Sequence, residues 1–226
     1  VNRRVGLALG LAGVGLGVGG FVMHSRRRRL PAGTPSVIAL ITPVIDLRVA
    51  ENVLSMMERM SGDDVTLVIH TQGGCVASCV MIAKALGRFR DSTAIVPYMA
   101  ISGGTLISLS ARNLAMGRNA ALSAVDPIVL GQRAKNIDEG EADPVVFAQA
   151  REYQAAVSGL LRETLQMRLA GAPPGAVDKA HRVFMGESQP HEWPISALEV
   201  AQLGIPVELA DPRWAPLVDT ERRGWW

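Results

Sequence analysis

The chain has 226 residues, 48% of them hydrophobic, and a formal net charge of +2 at neutral pH. That supplies enough apolar material for one sizeable core and too little excess basicity for a nucleic-acid binder, since the arginines gather at residues 26–29 and near the C-terminus rather than along a helix face. Cys75 and Cys79 lack the further ligands a zinc site needs, and a regular helix turn seldom permits a disulfide between residues four apart, so both read as small packing residues in a reducing compartment.

From Val5 to Met23 the chain carries no charged residue, "VGLALGLAGVGLGVGGFVM". A helix rises 1.5 Å per residue, so this stretch is long enough to cross a bilayer core. Its glycines are common in spanning helices, where small residues let helices approach. The arginines at 26–29 follow directly, with no small-x-small cleavage site between, which argues against a cleaved signal peptide. Four arginines outvote Arg3 and Arg4, so the expectation is a single-pass anchor with the following domain in the cytoplasm; the competing expectation is an exported domain.

After the short linker "LPAGTPS", "VIALIT" reads as a strand and "DLRVAENVLSMMERM" as a helix ending at Ser61-Gly62. "VTLVIH" is a second strand, followed by "TQGG" and the helix "VASCVMIAKALGRF". "TAIVPYM" is a third strand that runs into Ser102, Gly103 and Gly104, and "TLISLSARNL" a third helix. "LAMG" and "ALSAVDP" are short strand or turn pieces, and residues 132–143, "QRAKNIDEGEAD", an exposed polar loop. A long helical stretch beyond Pro144 ends at glycine and Pro173-Pro174. A short helix at "AVDKAHRVF", the tract "MGESQPHEWPIS", the helix "ALEVAQLG" and the strand "IPVEL" complete the pattern. The last residues, "DTERRGWW", read as a mobile tail, or as tryptophans touching a membrane surface.

Alternating strands and helices predict right-handed parallel units. Ligands of such sheets gather beyond the carboxyl ends of the strands, and both glycine pairs fall there. A glycine lets a ligand approach the backbone closely, so two such loops can aim N–H groups at the oxyanion of a tetrahedral intermediate. Ser102, at a helix start, is placed to attack the same carbonyl and gains from the helix dipole. On spacing alone it is equally a helix N-cap.

The set strand-"HTQGG"-helix, strand-"ISGGT"-helix, "ALSAVDP" and "HEWPISALEVAQLGIPV" resembles the Clp-protease and crotonase superfamily, over about residues 36–209. It is most similar to the membrane-anchored serine dehydrogenase proteinase (SDH) branch. The resemblance implies an α/β fold of the Clp-protease/crotonase ββα superhelix type behind an N-terminal transmembrane helix. The implied domains are an anchor with its basic flank over 1–29, a linker over 30–36, a catalytic domain over 37–210 and a tail over 211–226. It also implies that Ser102 is the nucleophile and that the N–H groups of Gly74 and Gly103 form the oxyanion hole. Gln72 departs from the proline usual before the first glycine pair, which leaves the approach to that turn freer.

A serine needs a base. The soluble Clp peptidase has its histidine near the place of Asp126 and its acid near the place of His191 and Glu192, so the resemblance implies that the two are exchanged: His191 takes the proton and Asp126 orients it. The chain is similar also to signal peptide peptidase A, which implies Lys135 as an alternative base, with desolvation lowering its pKa. His70 reads as a packing or hydrogen-bonding residue and Lys84 as solvent-facing.

The function expected is a membrane-anchored serine peptidase, forming a homo-oligomer and cleaving peptide or protein substrates. The alternatives are a catalytically inactive Clp-fold scaffold and a crotonase-type acyl-CoA enzyme. No metal, nucleotide or organic cofactor is indicated, since the glycine pairs fit neither a P-loop nor a dinucleotide fingerprint.

Overall fold

A computed structural model describes residues 36–60 and 62–221. The candidate span at 5–23, its arginines and most of the linker lie outside the described residues. Among the described residues no helix is long and apolar enough to cross a membrane.

The described residues begin with β1 (Ser36–Ile41), α1 (Leu47–Glu58), β2 (Asp64–His70), α2 (Val76–Leu86) and β3 (Asp91–Val96). There follow β4 (Met99–Ala100), α3 (Gly103–Ser110), β5 (Asn113–Met116), β6 (Ala121–Leu122), β7 (Ile128–Val129) and β8 (Gln132–Arg133). The C-terminal half holds α4 (Pro144–Arg168), α5 (Ala176–Phe184), β9 (Ile195–Ser196), α6 (Ala197–Gln202), β10 (Glu208–Leu209) and α7 (Ala215–Glu221). Strands β1, β2, β3, β5 and β10 form a wholly parallel five-stranded sheet in that order. A small sheet, β4-β6-β9, stands beside it, and β7 and β8 form a hairpin.

The period of two along each strand assigns side chains to two faces. Ile38, Leu40, Leu67, Ile69, Val96 and Leu114 belong to the large core shared with the helices. Ala39, Ile41, Val68, Ile95 and Ala115 belong to a second, smaller cluster. A buried parallel sheet needs both faces covered, and the second is covered by α7 through Val218, fully buried, and Leu217. This corrects the reading of residues 211–226 as a mobile tail: Pro212–Trp214 form a 3-10 turn, residues 215–221 are helical and packed, and residues 222–226 lie outside the described ones.

Three further boundaries differ from expectation. The stretch "TAIVPYM" breaks at Pro97, which has no N–H for a ladder, so Met99 and Ala100 leave the main sheet and pair with β6. Helix α3 starts two residues earlier than expected and stops at Ser110; Arg168 donates to the carbonyls of Leu109 (2.6 Å) and Ala111 (2.7 Å), satisfying the helix end. Residues 113–114 are thereby released to pair with β3. Within residues 132–143, Ala134 and Ile137 are buried with Val129 and Ala150 under α4, so this segment is packed as well as polar.

Candidate active site

The ends of β2 and β4 are stitched together. Thr71 N–H donates to Met99 O (3.2 Å) and Ile101 N–H to Thr71 O (3.0 Å), so the two glycine loops emerge side by side. The first is fixed to the β1–α1 connection: Ile45 N–H donates to Gly73 O (2.7 Å), and Cys75 N–H to Ile45 O (2.8 Å). Gln72 N–H adds a bond to Pro43 O (3.2 Å), which a proline at that position could not make, and Thr71 Oγ1 accepts from Gly73 N–H (3.1 Å). The loop is therefore pinned without the proline.

Glycine is required here by crowding. A Cβ on Gly74 would lie on the backbone of Ile45, 2.5 Å from its nitrogen, and one on Gly73 would be 2.9 Å from the Ser102 Cβ. A Cβ on Gly103 would strike Cys79, and the same point is 3.9 Å from Gly74 N. The Gly74 and Gly103 amides are thus neighbours. Among the described residues neither N–H is taken by another group, and the first N–H groups of a helix have no intrahelical acceptor.

Ser102 sits at the N-cap position of α3 with φ 53° and ψ −117°, in the left-handed half of backbone space that costs an L-residue energy. Its side chain makes no capping bond, so the N-cap explanation of this serine fails. Its conformation is held from outside: Ser102 N–H donates to Ser123 Oγ (2.8 Å), and Ser123 Oγ donates to Ala124 O (3.0 Å). Thr105 Oγ1 accepts from Ser123 N–H (2.9 Å) and donates to Ala100 O (2.6 Å). Ser123 was not legible as part of the site, because nothing in "ALSAVDP" distinguishes its hydroxyl from a turn former.

His191 Nδ1 lies 2.9 Å from Asp126 Oδ1, and Asp126 is fully buried. Burial alone would push the Asp126 carboxyl up; the hydrogen bonds from His191 and Arg133, with their charges, outweigh it and hold the group below the usual carboxylate range. A proton on Nδ1 directed at this carboxylate leaves Nε2 as the ring nitrogen with a free lone pair. A cavity of about 580 Å³ is lined by Gly74, Ser102, Gly103, His191 and Glu192, with an apolar wall that includes Leu106, Val125 and Val157.

The remaining candidates lie elsewhere. Lys135 Nζ donates to Gly186 O (2.6 Å) and does not line the cavity, as Ser102 and His191 do. His70 is buried at the end of β2, edge-on to Tyr98 with ring centres 5.9 Å apart, and Lys84 is exposed on α2. Both thiols are free; Cys79 is buried beneath Gly103, whereas Cys75 is exposed at the N-cap of α2, which corrects its reading as a packing residue.

Residues 37–142 match the family model described as ClpP-like SDH-type serine proteinase. Two uncharacterized proteins of Methanocaldococcus jannaschii are similar. One is 31% identical over 163 residues, covering 66% of this chain and 54% of its own length; the other is 27% identical over 167 residues, covering 69% and 56%. The chain thus spans just over half the length of these curated relatives. A point mutant of ClpP1 from Listeria monocytogenes has a TM-score of 0.56 at 16% identity, covering 79% of this chain and 93% of that one, which shows a common fold. The resemblance read from the glycine motifs is borne out.

Proposed function

We propose that this member of the ClpP-like SDH-type serine proteinases hydrolyses peptide bonds through an acyl-enzyme on Ser102. The observation that carries the reading is the cavity where Ser102, two unengaged glycine amides and a histidine backed by a buried carboxylate meet. In the first step His191 Nε2 takes the proton of Ser102 Oγ as the oxygen attacks the substrate carbonyl carbon. The oxyanion is held by the N–H groups of Gly74 and Gly103. The intermediate collapses as His191 gives the proton to the leaving amine; water then attacks the acyl carbon as His191 takes its proton, and His191 returns that proton to Ser102 Oγ as the ester bond breaks and the acid leaves. Asp126 holds the imidazole in the tautomer this requires.

His191 is a better base than Lys135, whose ammonium is committed to a backbone carbonyl. The membrane anchor at residues 5–23, a cytoplasmic domain and a homo-oligomeric assembly are parts of the same proposal, resting on the charge pattern and the family resemblance. Retention of the full chain in a carbonate-washed membrane pellet, and its loss on deletion of residues 1–29, checks the anchor.

A fluorophosphonate probe tests the chemistry. Labelling at Ser102, abolished in Ser102→Ala, strongly slowed in His191→Ala and retained in Lys135→Ala, is the expected pattern. A folded wild-type chain that the probe leaves unlabelled would overturn the proposal in favour of a scaffold.

A further inference from the structure

Asp126 is bonded on both carboxylate oxygens. His191 takes one carboxylate oxygen, and Arg133 Nε, from β8, takes the other. The rest of the Arg133 guanidinium is also committed. One terminal nitrogen donates to Gln189 O (2.9 Å) and the other to Gly186 O (2.6 Å). Residues 186–189 are the segment that delivers His191, so one planar group ties the carboxylate to the chain carrying the imidazole. A guanidinium suits this task because its donors are rigidly disposed.

The surroundings are built for the same contact. Val125 N–H donates to Phe184 O (2.7 Å), joining the two segments just before Asp126 and Gly186. Gly186 has φ 62°, and a Cβ there would strike the Arg133 guanidinium and come within 3.0 Å of Asp126 Oδ1. Lys135 shares Gly186 O from the 3-10 turn at 134–136. The charged groups at this contact are Arg133 on the carboxylate, Lys135 on Gly186 O, and Glu192, which is exposed and lines the cavity beside His191; Glu187 belongs to the tethered segment, and its charge acts on His181. Only Arg133 and His191 bond the carboxylate among the described residues.

We propose that Arg133 is a positioning residue for the His191–Asp126 pair: it locks the histidine-bearing segment to the carboxylate and, by occupying the second oxygen, limits how strongly Asp126 favours a protonated imidazole. The catalytic consequence rests on the peptidase reading; the positioning does not.

The test follows the pH dependence of fluorophosphonate labelling of Ser102 in the full chain, for wild type, Arg133→Met and Arg133→Lys, with hydrogen–deuterium exchange across residues 186–191 as a second readout. Arg133→Met is expected to label up to about 100-fold more slowly, the cost of a misplaced base. Its acid limb is expected to move up by roughly one pH unit, because an unshared carboxylate favours the imidazolium. Arg133→Lys keeps the charge without the fork and falls between. Wild-type rates in both variants, or a slower rate with the acid limb unmoved, would overturn the proposal, the latter by reducing Arg133 to a structural strut. If Arg133→Met does not fold, the rate and limb of Arg133→Lys decide in the same way. If wild type itself is not labelled, the peptidase reading fails, and exchange decides the positioning alone: faster exchange over 186–191 in the variants supports it, and unchanged exchange overturns it.

Discussion

Replacing Asp126 by asparagine separates the chemistry of the site from its architecture. The amide keeps the shape of the carboxylate and can still accept from Arg133 through its oxygen, but its nitrogen then points a donor at His191 Nδ1. That nitrogen must accept rather than donate, so the imidazole proton moves to Nε2, the atom that has to receive the Ser102 proton. A base in the wrong tautomer costs about 10⁴-fold in rate. The variant also leaves Arg133 without a counter-charge beside a fully buried position. Breaking a buried pair costs about 3–5 kcal/mol, and the lower end applies here because Arg133 keeps its two carbonyl acceptors. About 3 kcal/mol corresponds to a fall in Tm of roughly 6–12 °C for a domain of this size. The sign with pH is fixed by the depressed Asp126 pKa. Its stabilisation is complete above about pH 4, the ordinary carboxylate value, and is lost as pH falls through the lower value of the folded state, so the wild-type and variant stability curves converge in acid. Fluorophosphonate labelling rates and thermal melts from pH 2 to 8 measure both effects. Labelling within about threefold of wild type, against the 10⁴-fold expected from the tautomer, would refute the assignment of Asp126.

Ser102→Gly abolishes labelling yet raises Tm, because relief of an unfavourable φ worth about 1–3 kcal/mol exceeds the added chain entropy of about 0.5–1 kcal/mol; Ser102→Ala abolishes labelling without that gain. Gly74→Ala places a Cβ on the Ile45 backbone, which cannot yield, and is expected to cost about 3 kcal/mol or more and to remove activity, read by melting and labelling. Arg168→Met strands the carbonyls of Leu109 and Ala111 at the end of α3, with an expected loss of about 2–4 kcal/mol in denaturant melts. His181 is buried between α4 and α5, 3.0 Å from Ser158 Oγ; burial, then the nearby Arg162 charge, depress its pKa. A depressed histidine pKa means stability that is intact above about pH 6.5 and declines as pH falls through the folded value. Melts across pH 4–8 are expected to show this decline in wild type and to lack it in His181→Gln.

The main sheet was legible because a parallel sheet buried on both faces leaves continuous apolar runs, and "VIALIT", "VTLVIH" and "AIV" are such runs. The starts of α1 and α6 were placed to within a residue from the apolar spacing, and the structure shows Asp46 and Ser196 capping them. The break at Pro97 and the helix of residues 215–221 were misread, because strand apolarity does not reveal which of two sheets a strand joins, and the demand for α7 comes from a sheet face that exists only after folding.

By itself the sequence determined the alternation of strands and helices and the two loops where bare backbone is needed, since periodicity and glycine spacing are local properties of the chain. It took folding to make the unengaged amides neighbours, to bring Asp126 to His191 across 65 positions, and to tie them together through Arg133. Those contacts join residues whose types are ordinary in a loop, and what sets them apart is the burial and charge they acquire from partners distant in sequence.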